Sequence, residues 1–188
     1  RTALKAALQD VLTRHEAFRI KFDLDEPRQV LTPPAPVPVA EIDLSNHADA
    51  DKALDEFCTR ASGRDFPIDQ APLAAVSLLT LADGRVVVHV VASHLVFDGW
   101  ASSVFNAELA TAYKARSIGM TPDFKPAESP LDFAEEEQAR FEGDDGKEAL
   151  AFWQKLLHKP PAPLNLGDRT PPTPRTYAAD TQRVRLEG

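Results

Sequence analysis

The chain has 188 residues, a net charge of −8 and 43% hydrophobic residues, an ordinary balance for a globular protein. The acidic charge argues against nucleic acid or an anionic membrane surface as the main partner, and no apolar run reaches the roughly 18 residues of a membrane-spanning helix. Cys58 is the single cysteine, which excludes a disulfide framework and a CxxC zinc site. No cluster of histidines and carboxylates has metal-binding spacing, so no metal is expected. The composition is compatible with a cytoplasmic enzyme.

The first half of the chain predicts two helices and a short strand. Apolar side chains recur every three or four positions in residues 2–15, which predicts an amphipathic helix. Residues 18–22 alternate apolar and charged, as a half-buried strand does. The prolines of residues 32–38 lack N–H donors and predict an extended loop. Residues 49–61 predict a second helix, with Cys58 on its apolar face as a core residue rather than a reactive nucleophile.

The second half of the chain predicts a hairpin followed by helices. Residues 73–81 and 85–92 are rich in apolar and β-branched side chains, and the Asp83-Gly84 pair between them is a strong hairpin signal. The second of these strands is apolar at nearly every position, so we expect it to be a central strand with both faces covered. Three helices are expected next, over residues 101–116, 130–141 and 147–158. These elements together predict a mixed α/β fold.

The segment that follows the second hairpin strand contains the residues best suited to chemistry. His94 leaves a buried strand and is placed to present its imidazole at the edge of a cleft, where histidine is suited to proton transfer near neutral pH. Four residues later, Asp98 is placed to pair with a cation, and Gly99 permits a close approach of the backbone to a ligand. Trp100 is expected to pack where the loop meets the next helix. His89 has the opposite parity in the strand and is expected to be a core residue.

Two segments of the chain resemble motifs of one enzyme family. Ser93 to Gly99 (SHLVFDG) resembles the HHxxxDG motif of nonribosomal peptide synthetase condensation domains, which chloramphenicol acetyltransferase-like enzymes share in the shorter form HxxxDG. Arg14 to Phe22 (RHEAFRIKF) is similar to the RHExLRxxF motif of the same domains. Three weaker matches follow in family order, over residues 131–134, 153–157 and 164–169. Ser93 departs from the family pattern, because it occupies the position of the first histidine.

The resemblance implies an architecture. Condensation domains have a chloramphenicol acetyltransferase-like α/β sandwich in each of two similar lobes, and this chain is about half as long as such a domain. Residues 1–158 then form the N-terminal lobe, and the proline-rich residues 159–188 form a connector towards a missing C-terminal lobe. The chain lacks an initiator methionine and the family's opening motif, so we expect it to be part of a longer protein whose first strand is absent here.

The resemblance also implies a reaction and its partners. Condensation domains form an amide bond between an acyl or peptidyl donor and an aminoacyl acceptor, both held as thioesters on the phosphopantetheine arms of peptidyl carrier proteins, in secondary metabolite biosynthesis. No cofactor binds the domain directly. His94 matches the catalytic histidine, as general base or as positioner of the amine, and Gly99 leaves room near the thioester carbonyl. Asp98 is expected to be architectural and to pair with Arg19, or failing that with Arg14.

Other functions remain open from the sequence alone. A relative that forms esters or epimerises an aminoacyl group uses the same motif, whereas a heterocyclising relative is disfavoured because it replaces the motif histidine that His94 retains. A noncatalytic domain that docks carrier or recruited proteins is supported by Ser93 and by the incomplete match at residues 131–134. If the chain is one lobe of two, it should be inactive alone. The surface around His94 should then be apolar and partly exposed, and Trp100 has a second interpretation as a tunnel residue.

Overall fold

The computed structural model describes residues 1–26, 28–162 and 184 of the chain. Its helices are α1 (Thr2–Arg14), α2 (Ala50–Ser62), α3 (Gly99–Ser117), α4 (Pro130–Glu142) and α5 (Asp144–Leu156), and its strands are β1 (Ile20–Asp23), β2 (Arg28–Leu31), β3 (Val39–Leu44), β4 (Ala74–Leu81) and β5 (Val86–Ala92). The chain divides into two compact units, Arg1–Ala139 and Arg140–Gly188. None of the helices in the described ranges is both long and apolar enough to cross a membrane.

The first helix forms as its apolar spacing predicts. Four of its side chains (Ala7, Leu8, Val11 and Leu12) are fully buried along one face. A 3-10 helical turn (Glu16–Arg19) follows directly and places Phe18 in the core, so the strand begins at Ile20 rather than at residue 18. β1 then pairs antiparallel with β2, a strand that the sequence did not predict.

Three strands form the main sheet, in the order β3-β4-β5. β3 runs parallel to β4, with Val39 opposite Val76, and β4 pairs antiparallel with β5 through the predicted hairpin. Gly84 in its turn has a φ of +82°, a conformation that glycine adopts without strain. Among the described residues, β5 lies at an edge of this sheet and is half-buried, so our expectation of a central strand is fulfilled by β4 instead.

The central place of β4 follows from the helices that cover both of its faces. Ala74, Val76 and Leu78 point towards one cluster of buried side chains that also includes residues of α1 and α3. Leu79 and Leu81 point the other way and pack in a second cluster with α2. Since successive side chains of a strand alternate between faces, a strand covered on both sides is apolar throughout. The first unit is thus an α/β sandwich, as predicted.

Two of the remaining helices, α3 and α5, start slightly earlier than the periodicity predicts, whereas α2 starts one residue later and α4 starts where expected. α2 is capped by the Asp49 carboxylate, which accepts a hydrogen bond from the Lys52 N–H at 3.0 Å. α3 begins at Gly99 rather than at residue 101, and α5 begins at Asp144, directly after Gly143, rather than at residue 147. Most of the predicted connector, residues 159–188, and the motif match at residues 164–169 lie outside the described residues.

Candidate functional site

His94 lies in a turn that joins β5 to α3, and the backbone of the neighbouring Ser93 holds this turn to the sheet. The Ser93 N–H donates to the carbonyl oxygen of the buried Leu73 at 2.8 Å, which continues the β4-β5 pairing by one residue. The Ser93 carbonyl accepts a hydrogen bond from the Val96 N–H at 3.1 Å, and its hydroxyl accepts one from the Leu95 N–H at 3.4 Å. These hydrogen bonds fix the backbone of the turn where it leaves the sheet. The side chain of His94 is exposed.

Asp98 is the N-cap of α3, and the predicted ion pair with an upstream arginine is wrong. One carboxylate oxygen of Asp98 accepts a hydrogen bond from the Ala101 N–H at 2.7 Å, and the carbonyl of Asp98 accepts one from the Ser102 N–H at 2.9 Å. The side chain is exposed and makes no ion pair with Arg14 or Arg19. We expected a buried carboxylate in need of a cation, but a helix N-terminus supplies N–H donors and a favourable dipole at the surface. Asp98 remains architectural by this different means.

Arg14 and His15 instead bind the same carboxylate, that of Glu108 on α3. The Arg14 Nε lies 3.2 Å from Glu108 Oε1, and the His15 Nε2 lies 2.6 Å from Glu108 Oε2. The guanidinium of Arg14 also packs over the Phe124 ring, 5.0 Å from its centroid, and donates to the carbonyl oxygen of Lys125. The side chains of Arg14, His15 and Glu108 are at most 25% exposed. These contacts join the end of α1 to the middle of α3.

Arg19 and Glu16, in the 3-10 turn, each form a hydrogen bond to a segment further along the chain. Arg19 donates to the Thr32 carbonyl at 2.8 Å and lies 3.4 Å from a carboxylate oxygen of Glu16. The other oxygen of Glu16 accepts a hydrogen bond from the Ser129 hydroxyl at 2.6 Å, just before α4 begins. Arg14, His15, Glu16 and Arg19 are thus used in contacts within the fold.

The surface next to His94 is apolar and exposed, as the half-domain interpretation predicts. Leu95 is 58% exposed, and Trp100 is 80% exposed, so Trp100 does not pack at the junction of loop and helix as expected. A Cβ atom built on Gly99 would meet no atom within 4 Å, and the φ of Gly99 is outside the left-handed region. Within the described residues, neither backbone strain nor crowding therefore explains a glycine at this position.

His89 is half-buried in β5 and packs against α2. Its ring meets that of Phe57 on α2 edge-on, with 5.4 Å between the centroids. Partial burial lowers the pKa of His89 below its usual 6.5, because desolvation disfavours the imidazolium. Among the residues that the structure describes, no group of three or more histidine, cysteine and carboxylate side chains is placed to hold a metal ion.

Sequence reasoning missed Glu108, although the sequence contains a signal for it. Glu108 falls on the inner face of the third helix, between Phe105 and Ala112, which are both buried. A carboxylate in an apolar stripe of a helix requires a polar partner. Arg14 and His15 could have been recognised as its partners, because they lie at the end of α1, the helix that packs against α3.

The chain matches a known family along its whole length. A family model described as the condensation domain matches residues 1–188. The chain belongs to the condensation domain family. Two synthases are among the similar proteins. Chondramide synthase cmdD of Chondromyces crocatus is 31% identical over 98% of this chain and 5% of its own length. The dimodular nonribosomal peptide synthase of Bacillus subtilis is 29% identical over 98% of this chain and 8% of its own length.

Two solved structures share the fold. The first condensation domain of the calcium-dependent antibiotic synthetase, solved with a substrate analogue, gives a TM-score of 0.75 at 26% identity, covering 87% of this chain and 40% of that one. The X-domain from teicoplanin biosynthesis gives a TM-score of 0.77 at 27% identity, covering 91% of this chain and 39% of that one. The chain therefore spans about 40% of the length of these two solved chains and only 5% and 8% of the two synthases.

Removing the Asp98 cap should destabilise this condensation domain chain in a way that distinguishes capping from charge pairing. Asp98→Ala should lower the free energy of unfolding by about 0.5–2 kcal/mol, and Asp98→Asn should retain most of it, because asparagine caps helices as well as aspartate does. Urea denaturation of the two variants measures both values. An asparagine variant as unstable as the alanine variant would show that the negative charge, rather than the cap, is what the fold requires.

Removing the Glu108 carboxylate should leave the partly buried side chains of Arg14 and His15 without their shared hydrogen-bonding partner. Glu108→Ala should lower the free energy of unfolding by about 1–3 kcal/mol. The matched control is Glu56→Ala, which makes the same change at an exposed position of α2 and should stay within about 0.5 kcal/mol of the parent chain. Equal effects of the two substitutions in urea denaturation would contradict the proposed joining of α1 to α3.

Proposed function

We propose that this chain is the N-terminal lobe of an amide-forming condensation domain of a nonribosomal peptide synthetase, with His94 as its catalytic residue. The observation that supports this most strongly is the placement of His94. Its side chain is exposed on a turn that is fixed by Ser93 at one end and by the Asp98 cap at the other. A catalytic imidazole must be both accessible to substrate and held in place, and this turn meets both requirements.

The proposed reaction joins two tethered substrates. The acceptor amine attacks the donor thioester carbonyl, a C–N bond forms, the C–S bond breaks, and the donor arm leaves as a thiol. His94 accepts the proton that the amine loses, or orients the amine so that the leaving thiolate receives that proton. General-base assistance is typically worth roughly 10²–10⁴-fold, and alignment of the two reactants can contribute more.

The substrates define the partners in this proposal. Donor and acceptor peptidyl carrier proteins each present a thioester on a phosphopantetheine arm, and the domain itself binds no cofactor. The apolar surface at Leu95 and Trp100 is where we place these arms and the C-terminal lobe, because exposed apolar patches of this kind serve as contact surfaces. In this assignment residues 1–158 are the lobe, residues 159–188 lead towards its partner lobe, and Trp100 lines the tunnel between them.

Substitution of His94 tests the proposal in the complete condensation domain with both loaded carriers. His94→Ala should lower the rate of amide formation by about 10²–10⁴-fold without changing thermal stability, because the side chain is exposed. His94→Gln separates the two roles, since glutamine can orient an amine but cannot accept its proton. The 188-residue chain alone should give no product and is the negative control. A His94→Ala domain with the parent rate would overturn the assignment.

Gly99 offers a second test, because nothing in the described structure requires a glycine there. Gly99→Ala should leave the free energy of unfolding within about 1 kcal/mol of the parent value, since a Cβ fits without contact at a helix start. If the space above Gly99 receives the thioester, the same change should slow amide formation by about 10²-fold, the size expected for a displacement of about 1 Å. Thermal melts and the carrier assay measure the two quantities separately. An unchanged rate would show that the thioester lies elsewhere.

A noncatalytic docking domain is the second candidate, and two observations favour it. Ser93 replaces the first histidine of the motif, and the similar X-domain from teicoplanin biosynthesis has been solved in complex with OxyB. An ester-forming or epimerising relative remains a further enzyme alternative. The carrier assay decides among them: the docking domain gives no product with the parent sequence, and the alternative enzymes give an ester or a changed configuration.

A further inference from the structure

We propose that the open edge of β5 pairs with a further β-strand, supplied by a part of the condensation domain that lies outside residues 1–188. This edge consists of the backbone N–H and C=O groups of Val86, Val88, Val90 and Ala92. Among the described residues, β5 has only β4 as a neighbour in the sheet. The proposal depends on membership of the condensation domain family. It does not depend on the proposed catalytic role, so the two can fail separately.

The pairing of β5 with β4 shows which backbone groups lie at the open edge. The Ser93 N–H donates to the Leu73 carbonyl at 2.8 Å at one end of the pair, and the Leu81 N–H donates to the Arg85 carbonyl at 2.9 Å at the other. Hydrogen-bonded positions alternate along an antiparallel pair. Between these two ends, the residues whose backbone groups face β4 are therefore Val87, His89 and Val91. The residues between them turn their backbone groups away from β4.

The sequence of β5 is that of a strand with neighbours on both sides. Strands at the edge of a natural sheet are usually very short, or are protected by charged side chains, proline or a bulge. β5 has seven residues without a Lys, Arg, Asp, Glu or Pro, and its register with β4 is unbroken. β3, at the opposite edge of the same sheet, instead carries the exposed carboxylates of Glu41 and Asp43. The sheet therefore protects one edge and leaves the other suited to pairing.

The apolar contacts of β5 also extend along both of its faces. Val88 and Val90 pack against the cluster that includes residues of α1 and α3. On the other face, Val87 packs in the second cluster and the His89 ring meets that of Phe57. Polar backbone groups beside apolar surface are costly to leave unpaired, so the open edge requires hydrogen-bonding partners.

The spacing of the backbone groups and the length of the solved relatives together determine the partner. A neighbouring strand presents N–H and C=O groups at the spacing of the open edge, which a helix or a small molecule does not. The chain covers only 40% and 39% of the two solved chains described above, so more than half of each lies outside the matching part. A strand in the same polypeptide has an effective concentration of about millimolar, which favours it over a second copy of the chain at micromolar concentration.

Hydrogen exchange at valine amides tests the proposal, because five of the seven residues of β5 are valines. With isotope-labelled valine in the complete condensation domain, the amides of Val86, Val88 and Val90 should exchange as slowly as those of Val87 and Val91, which face β4. In the 188-residue chain the first three should exchange about 10²-fold faster than in the complete domain, whereas the latter two should stay slow. Nuclear Overhauser effects from the first three amides to residues outside this chain should accompany the protection.

Val86→Pro is a matched variant for the same measurement. It removes an N–H that faces away from β4 at the first residue of the strand, where proline is tolerated. In the complete domain the variant should exchange faster at Val88 and Val90. In the 188-residue chain Val87 and Val91 should remain slow, which shows that the variant still folds.

Three results would overturn the proposal. The first is fast exchange of Val86, Val88 and Val90 in the complete domain. The second is slow exchange of these amides in the dilute 188-residue chain, which would place the partner within this chain. The third is slow exchange in the concentrated 188-residue chain but not in the complete domain, which would assign the edge to a second copy.

Discussion

The Glu108 carboxylate joins α1 to α3, and the position of the candidate site depends on this junction. Arg14 and His15 reach it from the end of the first helix, so α3 is held at its middle while Asp98 caps its start. A partly buried carboxylate that binds both Arg14 and His15 is costly to disrupt, because each partner would be left desolvated and unpaired. The turn between β5 and α3 is thereby fixed at both ends. The backbone of His94 is held in place, although its side chain is exposed.

The two motif segments differ in what their side chains contact. Arg14, His15, Glu16 and Arg19 all contact the fold itself, through Glu108, Ser129 and Thr32. Next to His94, by contrast, the apolar side chains of Leu95 and Trp100 are exposed. The internal contacts thus hold the backbone beside His94 and leave these apolar side chains exposed. This is the arrangement expected of half of a two-lobed enzyme and also of a docking domain, which is why the carrier assay is decisive.

Local signals in the sequence predicted the helices, the hairpin and the exposed turn, and long-range pairing was the main omission. β3 was missed because its six residues follow a proline-rich loop and pair parallel with β4, more than 30 residues further along the chain. The doubly covered strand was assigned to β5 rather than β4, since both runs are apolar and only the sheet order distinguishes them. The role of Asp98 was misjudged for a different reason. An aspartate just before a helix is a local capping signal, and the expectation of a distant arginine partner overlooked it.

The hydrogen bond from the Ser93 N–H to the Leu73 carbonyl has a consequence for how this chain tolerates insertions and deletions. It places His94 a fixed number of residues beyond the last paired position of β5. Gaining or losing one residue between Val86 and Ser93 would turn every following side chain to the opposite face of the sheet, and His94 with them. An additional residue at the Asp83-Gly84 turn would instead lengthen the loop and leave the register of β5 unchanged. The register of β5 therefore sets the position of His94. Insertions and deletions should be tolerated better at the Asp83-Gly84 turn, at the other end of the hairpin.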